Sequence, residues 1–157
     1  MIIAFANDHA AAEVRAALLE HIRNLGHEVI DCGHAGTDSV DYPDVAAKAI
    51  EHYESGHADR VVLVCGSGVG MSIAANRHPQ IRCVLATDTW AAGMARAHND
   101  ANALALRARN QDPKVNEAIL RAFLETAFEG GRHQRRIAKL SSPLGSHPLT
   151  PSEVTKS

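Results

Sequence analysis

Cysteine, charge of one sign and long apolar runs are all scarce in this chain, and each scarcity removes a class of protein. The three cysteines, Cys32, Cys65 and Cys83, are odd in number and widely spaced, so they outline no disulfide framework. No C-x-x-C pair is present, which removes the usual mark of a structural zinc site. A reducing, cytoplasmic setting is therefore the expectation. The net charge is −2 over 157 residues, without the broad basic footprint of a nucleic-acid binder. The first apolar stretch, Ile2 to Ala6, stops at Asn7-Asp8 and is too short for a secretory leader or a membrane span. Neither Gly-Lys-Ser nor Gly-Lys-Thr occurs, so the phosphate loop of nucleotide hydrolases is missing.

What remains is a chain that is 45% hydrophobic, enough to build one domain around a real core but short for two. Apolar runs alternate with helical stretches. Strands are expected at Met1 to Ala6, His27 to Asp31, Arg60 to Val64, Ile81 to Ala86 and Ala103 to Leu106. Between the first two, Val14, Leu18, Ile22 and Leu25 mark one helical face that Gly26 can close. Pro43 and Pro113 stand where first helical turns begin, and helices are also expected over Ser72 to Arg77 and Thr89 to about His98. The region after Gly130-Gly131 is basic, and from Ser141 to Ser157 it becomes rich in Ser and Pro, the composition of a flexible tail. A βαβ repeat of this kind implies an α/β fold: a doubly wound parallel sheet of about five strands in the flavodoxin-like order 2-1-3-4-5.

The junction after the third strand is the chain's most informative feature. Arg60-Val61-Val62-Leu63-Val64 runs into Cys65-Gly66-Ser67-Gly68-Val69-Gly70-Met71-Ser72, a thiol followed by three glycines at alternate positions and a helix start near Met71. Glycines let the backbone turn with positive φ and bring its N–H groups close to a ligand. The helix N-terminus adds unpaired N–H groups and a positive field that favours an oxyanion, a phosphate or a thiolate. The dinucleotide fingerprint does not fit, because Met71 stands where its third glycine belongs and the loop follows the third strand rather than the first. A buried structural cysteine before a tight turn is the bland alternative. Strands one and three are neighbours in the expected order, so Asn7-Asp8-His9 and Cys65-Gly66-Ser67-Gly68 converge at the crevice between their carboxyl ends.

Five segments together carry a resemblance. Asp8-His9-Ala10, Asp41-Tyr42-Pro43, Cys65 to Asn76, His98-Asn99-Asp100-Ala101-Asn102 and Glu129-Gly130-Gly131-Arg132-His133-Gln134-Arg135-Arg136 resemble the ribose-5-phosphate isomerase B family, which includes the galactose-6-phosphate isomerase subunits. The likeness runs from Met1 to about Leu140 and implies an isomerase domain over 1–140, with 141–157 outside it. It implies an aldose–ketose isomerase that works through an enediolate and needs no cofactor or metal.

Within that resemblance Cys65 matches the base that moves a proton between C2 and C1, with Ser67 beside it as a further catalytic position. A second branch of the family has glycine at position 65 and a glutamate base at position 71. This chain has Cys65 and Met71 and resembles the cysteine branch. His98 matches the residue that opens the sugar ring, a proton transfer suited to imidazole. Asp8, His9, Tyr42 and Asn99 match substrate-binding positions, as do Gly66, Gly68, Val69 and Gly70, whose amides can stabilise the enediolate. His9, Arg109, Arg132 and Arg136 match the phosphate-binding set, and guanidinium groups suit a dianion. Read alone, each has a plainer meaning: Asp8 as an N-cap, His98 as a helix-end side chain, the arginines as a solvated surface.

A helix of about ten residues rising roughly 1.5 Å per residue carries His98 some 15 Å back from the carboxyl edge of the sheet. His98 is therefore not expected to reach its own Cys65. If both act on one sugar, a homodimer with shared sites must supply His98 from the partner, and such dimers could pair into tetramers. The expected ligand is a phosphorylated sugar, with no nucleic acid and no membrane as partner.

Substrate choice is where the chain departs from the family pattern. Ala11 stands where Gly is common, Trp90 where Tyr is common, and Arg107 where a small residue precedes Arg109. Ribose 5-phosphate is the first expectation, with galactose or allose 6-phosphate or a tetrose phosphate as alternatives. A non-catalytic sugar-phosphate-binding module and a flavodoxin-like electron carrier are the readings from other classes.

Overall fold

The computed structural model describes residues 1–140. Five parallel strands form one sheet: β1 (Ile2–Asn7), β2 (Glu28–Asp31), β3 (Arg60–Cys65), β4 (Cys83–Leu85) and β5 (Ala103–Arg107). The helices are α1 (Ala12–Asn24), α2 (Tyr42–Glu54), α3 (Val69–Ala75), α4 (Thr89–Asn99), α5 (Pro113–Glu125) and α6 (Arg132–Leu140). The α/β class and the parallel five-stranded sheet are as the sequence predicts.

Alternation along the strands explains the two layers of helices, because successive side chains point to opposite faces. Ile3, Phe5, Val62, Val64, Leu104 and Leu106 face one core, packed with Leu18 and Ile22 of α1, Ala92 of α4 and Ile119, Leu120 and Phe123 of α5. The intervening Ala4, Ala6, Leu63, Cys65, Ala103 and Ala105 face the other core, with Val45, Ala46, Ala49 and Ile50 of α2 and Met71 and Ala75 of α3. Each large side chain removed from water in this way contributes about 1.5–3 kcal/mol before the entropy of ordering it is subtracted. Cys65 thus ends a strand whose apolar residues are locked on both faces.

Two expectations need correction. The strand order is β2-β1-β3-β5-β4, not 2-1-3-4-5. The β2-β1-β3 half is as expected, but β5 lies inside and β4 at the edge. Burial supplies the reason: Ala103 to Leu106 are fully enclosed, as a strand covered on both faces must be, whereas β4 has three residues that are all half-buried. Helix α3 starts at Val69, earlier than expected, since Gly68 with φ +76° turns the chain directly into it. The basic segment after Gly131, which carries no secondary-structure expectation above, is helical as α6. The expected tail at 141–157 lies outside the described residues.

Candidate active site

The carboxyl ends of β1 and β3 are tied together by backbone. Asp8 N–H donates to Val64 O at 3.1 Å, and β3 is tied in turn to the segment after β5 by Ala108 N–H to Cys65 O at 2.9 Å and Arg109 N–H to Gly66 O at 3.0 Å. A cavity of about 390 Å³ lies elsewhere, along β4 and the end of α4, and includes Asn99. At the joined strand ends is a second cavity, of about 520 Å³. Its walls bring together Asp8, His9, Tyr42, Cys65, Gly66, Ser67, Gly70 and Arg109 from the expected set, and add Ala10, Arg107 and Asn110.

Cys65 is 5% exposed, and its Sγ accepts the Gly68 N–H at 3.1 Å. That amide is placed by the turn into α3, so the loop aims a donor at the sulfur where a thiolate's charge would reside. Gly68 does not itself line the cavity; it serves the sulfur from behind. A Cβ there would lie 2.5 Å from Leu85 Cδ1 and 3.1 Å from the Leu106 backbone, in a φ that L-residues avoid. Gly68→Ala is therefore expected to lower the free energy of unfolding by about 2 kcal/mol. Urea denaturation checks this, and an unchanged midpoint would show that the loop relaxes freely.

The same loop makes room for the other walls. A Cβ on Gly70 would approach the Tyr42 ring to 2.8 Å, so glycine lets that ring lie against α3. Val69 N–H donates to Ser67 Oγ at 3.3 Å, and Val69 is itself exposed, away from the cavity. Opposite the loop, Asp8 Oδ1 accepts the Ala10 N–H at 3.0 Å, the N-cap geometry that the plainer reading allowed, and the residue also lines the cavity. His9 Nδ1 accepts the Val40 N–H at 3.3 Å, so in the neutral ring the proton sits on Nε2. Buried Asn7 anchors this corner, its Nδ2 donating to Asp8 O and to His34 O, each at 2.9 Å.

Arg107 and Asn110 were not among the expected binding residues. Arg107 is the register partner of Cys65 on the adjacent parallel strand, so both side chains leave the same face of the sheet. Its Nε donates to Gln111 Oε1 at 2.8 Å. The order β3-β5 was the missing signal. Asn110 has φ +54°, a left-handed position that asparagine tolerates, and it turns the chain directly after Arg109.

His98, Asn99, Arg132 and Arg136 do not line this cavity. Cys65 pairs with Arg107 at the carboxyl end of the sheet, while α4 delivers His98 towards the amino edge, where Asn102 O accepts the Val61 N–H. Its end is fixed by charge: Arg96 Nη1 and Arg82 Nη2 donate to Asp100 at 2.8 and 3.0 Å, and Arg96 also reaches Ala101 O. There His98 Nε2 is 3.5 Å from Glu129 Oε2, and His133 Nε2 is 3.6 Å from the same oxygen. The two imidazoles stack with centroids 4.3 Å apart and planes 6° from parallel. These three donors lie within 4.8 Å of one another, but parallel rings do not converge their in-plane lone pairs on one point as a metal ion requires. The arrangement fits a carboxylate spanning two rings.

The sequence profile of the Ribose/Galactose Isomerase family matches residues 3–140, nearly all of the described chain. The chain belongs to that family. It is 36% identical over 140 residues to ribose-5-phosphate isomerase B of Escherichia coli, covering 89% of this chain and 94% of that protein. The crystal structure of ribose 5-phosphate isomerase from Thermotoga maritima superposes with a TM-score of 0.86 at 44% identity, covering 89% of this chain and 97% of that one. Ribose-5-phosphate isomerase B of Clostridium thermocellum gives a TM-score of 0.87 at 40% identity, over 90% and 95% of the two chains. The chain is accordingly an isomerase with the sugar-phosphate chemistry of this family, and it carries the cysteine rather than the glutamate in the strand-end loop. No described helix is long and apolar enough to cross a membrane.

Proposed function

We propose that the protein converts ribose 5-phosphate to ribulose 5-phosphate in the cytoplasm, as a step of the pentose phosphate pathway, without a cofactor. The observation that carries this reading is the joint presence of Cys65, His9 and Arg109 in one cavity: a base at one wall, and a guanidinium and the His9 Nε2–H at others for a phosphate. On the open-chain aldose, the Cys65 thiolate takes the proton from C2. The C2–H electron pair becomes the C1=C2 bond while the carbonyl pair moves onto O1, which is protonated. Return of the proton to C1, with loss of the O2 proton, leaves the C2 ketone. Charge on oxygen during these steps is met by the loop residues that line the cavity, the Gly66 and Gly70 amides and Ser67, where preorganised donors are worth most. Asp8 and Tyr42 hold sugar hydroxyls, and Asn99, Arg132 and Arg136 join the site with His98 across a homodimer.

Arg107 favours one second reading, a different aldose phosphate, because it adds a guanidinium to the wall beside Cys65. A panel of tetrose, pentose and hexose phosphates and their unphosphorylated sugars, ranked by kcat/KM, tests both. Ribose 5-phosphate is expected to rank first, and loss of the phosphate to cost at least about 100-fold, since its charge-assisted hydrogen bonds to Arg109 and His9 would be lost. A tetrose or hexose phosphate ranking first would replace the substrate. No turnover of any phosphosugar would leave a binding module.

A further inference from the structure

We propose that Glu129 and His133 are positioning residues for His98, holding its imidazole for the opening of the sugar ring. The inference rests on the reading of His98 given above.

The geometry is built, not incidental. Gly130 and Gly131 both have positive φ, 67° and 55°, and this double turn swings the chain from Glu129 into α6. The turn is pinned to α4 by Glu129 N–H donating to Ala97 O at 3.0 Å, next to His98 itself, and closed by His133 N–H to Gly130 O at 3.1 Å. Glu129 is thereby held at the His98 edge and His133 over its face. His133 is only 5% exposed, and its ring lies flat against that of His98. Burial, then the neighbouring His98 and Arg132, push it below the usual histidine range, opposed by the Glu129 carboxylate. The charged and titratable groups around His98 are thus Glu129 from the turn and His133 and Arg132 from α6, with Arg136 one helical turn on.

A stack and a carboxylate together remove rotational freedom from the imidazole: the stack fixes its plane, and Glu129 fixes which edge carries Nε2. Ring opening needs such control. The anomeric hydroxyl loses a proton, the bond from C1 to the ring oxygen breaks, and the ring oxygen gains a proton. An imidazole serving one of those transfers must meet its oxygen in the plane of its ring, and a misplacement of about 1 Å can cost as much as 100-fold.

Ring opening can be read separately from enolisation. Ribulose 5-phosphate has its O5 esterified and cannot close a furanose ring, so exchange of its C1 hydrogen with solvent requires only the Cys65 step. In Glu129→Gln and in His133→Ala we expect kcat for ribose 5-phosphate to fall about tenfold with KM within about twofold, while exchange on ribulose 5-phosphate is unchanged. Glu129→Gln is isosteric and its side chain is largely exposed, so folding does not confound it. His133→Phe, which restores a flat ring on His98, should recover most of the loss in His133→Ala. His98→Ala should show the same selective pattern more strongly. If it does and Glu129→Gln keeps wild-type turnover, or loses exchange in equal proportion, the positioning role is wrong while the reading of His98 stands. If His98→Ala itself turns over ribose 5-phosphate normally, the reading beneath the inference fails, and a protein inactive on both sugars overturns both.

Discussion

Cys65→Ala is expected to reduce kcat by at least about 1,000-fold while binding of the phosphosugar survives. The asymmetry follows from where the groups sit. The sulfur occupies the end of β3 with the Gly68 amide at 3.1 Å, whereas the groups proposed to hold the phosphate belong to other segments, His9 after β1 and Arg109 after β5. Removing the sulfur leaves those groups in place. No other thiol can substitute. Desolvation pushes Cys83 up to about 12, and burial followed by the Asp31 charge pushes Cys32 up, so both remain thiols near neutrality, on other segments of the sheet edges. Nor is there a carboxylate at position 71, where Met71 is wholly buried in the core under α3. Solvent-hydrogen exchange at substrate C2 should disappear in the variant, and calorimetric titration with the phosphosugar should still give binding. Normal exchange in Cys65→Ala would show that another group is the base.

The second large effect concerns two dead proteins that together become active. Cys65→Ala and His98→Ala homodimers are each expected to be inactive, or nearly so, on ribose 5-phosphate. After subunit exchange, half of the dimers are hybrids, and each hybrid has one site with Cys65 and His98 both intact, so about a quarter of wild-type activity should return. Within one chain His98 stands at the far end of α4 and is absent from the Cys65 cavity, so a single chain does not assemble both groups. Exposed apolar side chains that a partner would cover are also present. Trp90 at the start of α4 is 73% exposed, and Ile73 on α3 is 59% exposed, with Val69 one helical turn before it. Confirmed exchange without recovery would mean that each chain completes its site in another way.

Much of the site was legible because its parts are local. Cys65, Ser67, Gly68 and Gly70 lie within six residues, and a strand running into a glycine turn puts them together at one sheet end, while the roles proposed for them come from the family resemblance. Asp8 and His9 were placed against them by one non-local fact, the adjacency of β1 and β3, which the βαβ repeat implies and the structure bears out. Arg107 was less legible: it read as a departure before Arg109, and only its pairing with Cys65 across β3 and β5 sets it in the cavity. Glu129 and His133 were quoted as part of a motif without a role, since nothing in Glu-Gly-Gly-Arg-His says what the turn packs against.

The sequence by itself determined the elements whose cause lies within a few residues: the alternation that buries both faces of the strands, the proline and glycine boundaries of the helices, and the thiol in its glycine loop. It also determined the chemistry available, cysteine in place of glutamate. The tertiary structure decided which of those elements touch. β5 went inside and β4 to the edge because the sheet interior rewards a strand that can be covered on both faces. α4 carried His98 away from Cys65 because a helix crossing back over a parallel sheet must end at the opposite edge. Such contacts join residues far apart along the chain, and their energies depend on the whole packing, so no local pattern encodes them.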